Sequence, residues 1–140
     1  MGQQQLLLVI LVTIIVGIAT VVAINTFSSA ADSANLDAVR QDMASIAASA
    51  QGYYMKPEML GGGGQDFTGM TFEDITFGGT ISSSNTSIAY NENGTYQLGS
   101  GSSGSIQITA SPSSADGYTE GSTGTSDDLT ATIMPDQLSY

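Results

Sequence analysis

Hydrophobic and polar positions along the chain fall into three regimes. From Leu6 to Ile24 there is no charged residue, and Leu, Ile and Val would crowd every face of a helix built from that stretch. From Leu36 onward the apolar residues thin to a stripe of Leu36, Val39, Met43, Ile46, Ala50 and Tyr53, spaced 3-4-3-4-3. Asp37, Arg40, Gln41 and Asp42 occupy the other faces. That spacing belongs to a helix buried on one side. Asp37 and Arg40 are three apart and can pair, a contribution of about 0.2–0.5 kcal/mol on an exposed helix. No proline precedes Pro57, and Lys56 stands where a cation suits a helix C-terminus. The pattern predicts one helix from about Gln3 to Tyr54, roughly 75–80 Å long at 1.5 Å per residue. Gly17, near Thr13 and Thr20, is its weakest point.

Beyond Pro57 the period shortens. "MLGGGGQDFTG" reads as a flexible loop and lacks the Lys-Ser/Thr that completes a phosphate-binding loop. "SIAYNENGTYQL" predicts a hairpin with a three-residue loop, Glu92-Asn93-Gly94. Tyr90 then faces Tyr96 and Ile88 faces Leu98, with all four on one side. "SIQITAS" aligns Ile106, Ile108 and Ala110, and "DLTATIM" aligns Leu129, Ala131 and Ile133. "MTFEDITF" favours a strand, with Phe72 and Ile75 out of phase and a bulge near Glu73-Asp74. The expected fold is α+β: a long N-terminal helix packed on an antiparallel sheet of about four strands. Its parts are a hydrophobic helix over 1–27, the amphipathic half of the same helix over 28–55, and a β domain with Gly/Ser-rich loops over 56–140.

The apolar segment is membrane-grade. About 19 residues at 1.5 Å each make about 28 Å, close to the ~30 Å hydrocarbon core of a bilayer. A cleaved secretory signal would carry a basic region before a shorter apolar core. Nothing before Leu6 is charged, although "SSA" at 28–30 has the small residues of a cleavage site. The segment therefore reads as a single-pass anchor or as a helix buried against copies of itself.

Charge and composition remove other functions. Thirteen acidic residues face two basic ones, Arg40 and Lys56, for a net charge of -11. Such a chain cannot neutralise a row of phosphates, so nucleic acid is not an expected partner, and neither is a polybasic grip on a membrane surface. With no His or Cys, the usual ligands of covalent haem and iron–sulfur clusters are missing. Most general bases and covalent nucleophiles are missing with them, so the expectation is no enzyme, no cofactor and no small-molecule substrate. Adjacent Glu73 and Asp74 would point to opposite faces of a strand, a poor geometry for acid–base work. Asp116, Glu120, Asp127 and Asp128 make one loop acidic and oxygen-rich, a candidate Ca²⁺ site. "NTS" at 85–87 and "NGT" at 93–95 are sequons, which makes Asn85 and Asn93 candidate glycosylation sites.

Taken together, the hydrophobic start, the amphipathic continuation "DAVRQDMASIAASAQGYY" and the loop-rich β region resemble the type IV pilins and related prepilin-like proteins. In that family a short leader ending in Gly is removed. The hydrophobic helices then pack as the core of an extracellular filament, drawn from an inner-membrane pool by the pilus assembly machinery. The resemblance implies a homo-polymer, a major pilin serving adhesion or motility. It places Met1, Gln5, Leu6, Leu7, Leu8, Val9, Ile10, Leu11, Ile14, Ile15, Val16, Gly17, Ile18, Val21 and Val22 in the assembly core. Two features depart from the family. Its fifth mature position is normally acidic and offsets a neighbour's terminal amine. With Met1 as the mature end Gln5 stands there, able to hydrogen-bond an amine but not to neutralise it. With cleavage after Gly2, Leu7 takes that place, further from the pattern. The apolar half also lacks the proline many bacterial members carry, which leaves Gly17 as the candidate for a melted segment. The alternatives are a single-pass anchored surface protein and a type II secretion pseudopilin.

Overall fold

A computed structural model describes residues 2–140. The chain divides into two compact units, Met1–Ala34 and Asn35–Tyr140. Helix α1 (Gly2–Met55) supplies all the described residues of the first and opens the second.

In the first unit every described side chain is exposed. The helix runs through Gly17 without a break. The hydroxyls of its apolar half are satisfied within it: Thr13, Thr20 and Thr26 donate to the carbonyls of Val9, Val16 and Val22 at 2.7, 2.8 and 2.9 Å. Each bond spans four residues, so the apolar half presents no hydroxyl in need of water.

The second unit is a helix laid on a sheet. Its strands are β1 (Thr80–Ile81), β2 (Ile88–Tyr90), β3 (Gly94–Leu98), β4 (Ile106–Pro112), β5 (Leu129–Ile133) and β6 (Leu138–Ser139). They form one antiparallel sheet in sequence order. Val39, Met43, Ile46, Ala47 and Ala50 of α1 are buried in one core with Tyr96, Leu98, Ile106, Ile108, Ala110, Ala131 and Ile133. Leu36 and Tyr53, at the ends of the stripe, are half-buried. The inward faces read for β4 and β5 are those observed, and Arg40 pairs with Asp37 at 3.0 Å as their spacing suggests.

The sheet has six strands rather than about four, because Thr80–Ile81 and Leu138–Ser139 add short borders, and three further expectations need correction. The hairpin register differs by one residue: Ala89 opposes Tyr96 and Tyr90 opposes Thr95, leaving four residues, 91–94, in the turn. Ala89 therefore faces the core, while Ile88 and Tyr90 are half-buried on the other side. The wider turn is held by Asn91, whose Oδ1 accepts the N–H groups of Asn93 and Gly94 at 2.9 and 3.2 Å. One tyrosine ring fills the core at this level: Tyr96 meets Phe77 edge-on at 5.2 Å, and a small residue stands opposite it.

The second correction concerns residues 70–77, which form no strand. Asp74 accepts the N–H and the hydroxyl of Thr71, both at 2.9 Å, and closes a turn. Phe72 and Ile75, three apart, are both buried, which the period of two in a strand forbids and a turn allows.

The third correction concerns the glycine run, which is an ordered helix terminator rather than a flexible loop. After the 3-10 turn Glu58–Leu60, the N–H groups of Gly63, Gly64 and Gln65 donate to the carbonyls of Tyr53, Lys56 and Tyr54 at 2.8, 3.0 and 2.8 Å. They satisfy carbonyls that a helix end leaves without partners. A Cβ on Gly63 would lie 2.0 Å from the Asp66 carbonyl and 2.7 Å from the Tyr53 ring, so this path admits only glycine.

Candidate assembly surface

The residues that the sequence marks for assembly sit together, on the exposed part of α1. Among Leu6, Leu7, Leu8, Val9, Ile10, Leu11, Ile14, Ile15, Val16, Ile18, Val21 and Val22, exposure runs from 48% at Ile10 to 66% at Leu7. Gln5 and Gly17 are exposed on the same helix, and Met1 lies outside the described residues. By length and composition the segment is able to cross a membrane, and none of it is buried within the chain. Fully removing one Leu, Ile or Val side chain from water is worth about 1.5–3 kcal/mol. A helix apolar on every side requires lipid or other helices around it.

A polar cluster fastens the other half of α1 to the sheet. Asp42 Oδ2 accepts from Asn91 Nδ2 and Asn93 Nδ2, both at 2.8 Å, and from the Tyr96 hydroxyl at 2.7 Å. Burial pushes the Asp42 carboxyl up, but the bonds from Asn93, Asn91 and Tyr96 together outweigh it and hold the group below its ordinary value. Burial, and then the bond to Asp42, push the Tyr96 hydroxyl in the opposite direction, well above the usual phenol range. Nearby, Asn35 Nδ2 donates to the Asn93 carbonyl at 2.9 Å, and Asn35 Oδ1 accepts from the Ser114 hydroxyl at 3.0 Å. Sequence patterning puts Asp42 on a solvent-facing side of the helix and so misses this cluster. The available signal is the pair of turn asparagines, Asn91 and Asn93, whose amides need an acceptor.

The acidic loop is held by its own donors. Asp128 accepts from the hydroxyls of Ser111 and Thr125 and from the N–H groups of Gly124 and Thr125. Burial raises its pKa, yet these bonds bring it below the ordinary value. Asp116, Glu120 and Asp127 are exposed. Among the described residues no three acidic, His or Cys side chains gather to hold a metal. Instead, the loop covers the outer sheet face. Thr95, fully buried there, lies 3.0 Å from the Tyr118 hydroxyl and accepts the Gly121 N–H at 3.0 Å.

The two sequons differ in setting. Asn85 is exposed in the turn before β2, whereas Asn93 is half-buried against α1. In comparison with known proteins, the chain matches no family model, no curated protein and no solved structure.

Proposed function

We propose that the chain is the major structural subunit of a type IV pilus-like extracellular filament, polymerising through α1 and serving adhesion or motility. One observation carries this reading: a charge-free apolar stretch, exposed throughout, continues without a linker into the helix that supports the folded unit. Lipid satisfies such a stretch in a bilayer, and identical helices satisfy it in a filament. One sequence thus serves a membrane-held pool, from which assembly machinery draws subunits, and a homo-polymer. A plain anchor accounts for the apolar stretch but gives no reason for the unbroken helix.

Material sheared from the surface of the producing cells, examined by sedimentation and electron microscopy, provides the test. Long polymers are expected that need no lipid and persist in high salt, because their core is apolar rather than ionic. Detergent, which competes for that core, should dissolve them. Full-length chain found only as single subunits in membranes would overturn the filament and leave a single-pass anchored protein. A short assembly confined beneath the cell surface would instead indicate a secretion pseudopilin.

If Met1 is the mature end, Gln5 stands where a filament subunit would meet the terminal amine of a neighbouring copy. Gln5→Leu should then slow assembly, and Gln5→Glu should match or exceed the parent by adding charge complementarity. Light-scattering traces of Gln5→Leu and the parent that superimpose would reduce position five to packing.

A further inference from the structure

The two sequons are alike in sequence and opposite in chemistry. Asn85 opens a turn in which the Ile88 N–H donates to the Asn85 carbonyl at 3.0 Å. Its side-chain Oδ1 accepts the Ser87 N–H, also at 3.0 Å, so the sequon is closed into an Asx-turn. The turn is held from outside as well: Phe72 N–H donates to the Thr86 carbonyl at 2.9 Å and Leu98 N–H to the Ser87 carbonyl at 2.8 Å. With its oxygen engaged, the Asn85 carboxamide leaves Nδ2 on an exposed residue without a hydrogen-bond partner among the described residues. Asn85 also borders a shallow cleft of about 530 Å³, whose lining includes Thr68, Thr71, Ser87, Gln97 and Ser100 and no charged side chain. Neutral hydroxyls and amides are the groups that accommodate a saccharide beside its point of attachment.

Asn93 offers none of this. Its Nδ2 is bonded to Asp42, and its carbonyl accepts from Asn35 Nδ2 and, at 2.8 Å, from the Ser113 N–H. A sugar on that nitrogen would have to part the helix from the turn. The Thr95 hydroxyl of the same sequon is buried under Tyr118 and Gly121.

We propose that Asn85 is an N-glycosylation acceptor, with its first sugar beside the Thr68–Gln97 cleft, and that Asn93 stays unmodified. The donor is a saccharide linked through phosphate to a lipid. The bond from Asn85 Nδ2 to the anomeric carbon forms as the carbon–oxygen bond to phosphate breaks. The lipid phosphate departs with the electron pair, and the carboxamide proton passes to a base of the transferring enzyme. This assignment is independent of polymerisation and holds equally for an anchored protein.

Glu92 makes the test direct, because it is the only acidic residue between the two sequons. Cleavage after glutamate of protein isolated from its own cells separates an Asn85 peptide from an Asn93 peptide for mass spectrometry. The expected result is a saccharide mass on the first and none on the second. In the same host, Asn85→Gln and Ser87→Ala should each bring the modified signal to background, while Asn93→Gln should leave it in place. An unmodified Asn85 peptide from the native protein, or a sugar on Asn93, would overturn the proposal without recourse to any variant.

Discussion

A fragment of residues 28–140 is expected to fold, to stay soluble and to remain monomeric, while the full chain polymerises. Every buried side chain among the described residues belongs to Asn35–Tyr140, so the deletion removes no part of the core. Residues 1–27 contain no Asp, Glu, Lys or Arg, so the fragment keeps the whole net charge of -11 and the mutual repulsion that goes with it. What is lost is the run from Leu6 to Ile24, whose side chains represent tens of kcal/mol of apolar burial at about 1.5–3 kcal/mol each before entropy is counted. The expected effect is complete loss of sedimentable polymer, with far-UV circular dichroism and a cooperative thermal transition retained. Polymers formed by the fragment would relocate the interface to the sheet unit. An unfolded fragment would show that the apolar half is needed for the fold itself.

The second large effect is expected at Asp42. Replacing it with Ala leaves the Tyr96 hydroxyl and the amides of Asn91 and Asn93 without their common acceptor. Bonds to a charged acceptor contribute about 1.5–3 kcal/mol each, and a buried donor left unmade costs about 1–3 kcal/mol. Water reaches part of this cluster, so a total near 3 kcal/mol is expected for Asp42→Ala. For a unit of this size that corresponds to a fall in Tm on the order of 10–20 °C. Asp42→Asn keeps the shape and one acceptor and should lose roughly half as much.

The pH dependence has a defined sign. The folded pKa of Asp42 lies below its ordinary value, so its contribution is complete above about pH 4, near the unfolded value, and disappears as pH falls through the folded value. Asp128 and Asp66 act in the same direction. The parent should therefore lose stability in acid more steeply than Asp42→Asn. Thermal melts from pH 7 down to pH 2 provide the measurement. Parallel curves for the two proteins, or an Asp42→Ala variant as stable as the parent, would remove Asp42 from the account.

Where a run had one dominant period, the structure was readable from it. The helix extends over Gly2–Met55, and the stripe from Val39 to Ala50 faces the core, because helical burial repeats without reference to distant residues. Alternation alone places Ile106, Ile108 and Ala110 in the core, where they are buried. The hairpin was not readable in the same way. Placing all four large residues on one face ignored the side chain of Asn91, which selects the turn length. Residues 70–77 have strand-forming composition but pack as a turn, since Phe72 and Ile75, three apart, both fill the core, a spacing no strand allows. Asp42 was invisible for a different reason. Its partners are 49, 51 and 54 residues away, and only the folded register brings them to one oxygen. That Leu6 to Val22 form an exposed apolar helix was legible as well, because a stretch without charge that is apolar on every face has no one side to turn to the core.

The sheet ends on each side in a strand of two residues, β1 at Thr80–Ile81 and β6 at Leu138–Ser139. An incoming strand laid along either border would find room for only one or two ladder bonds before the chain turns away. Edges this short are how native sheets resist stacking into amyloid-like ribbons. A protein whose apolar helix stands exposed from Leu6 to Ile24 would be open to that error wherever many copies are crowded together. In the filament proposed above, contact between copies would thereby be steered away from the sheet, so growth along strands would not compete with association through helices.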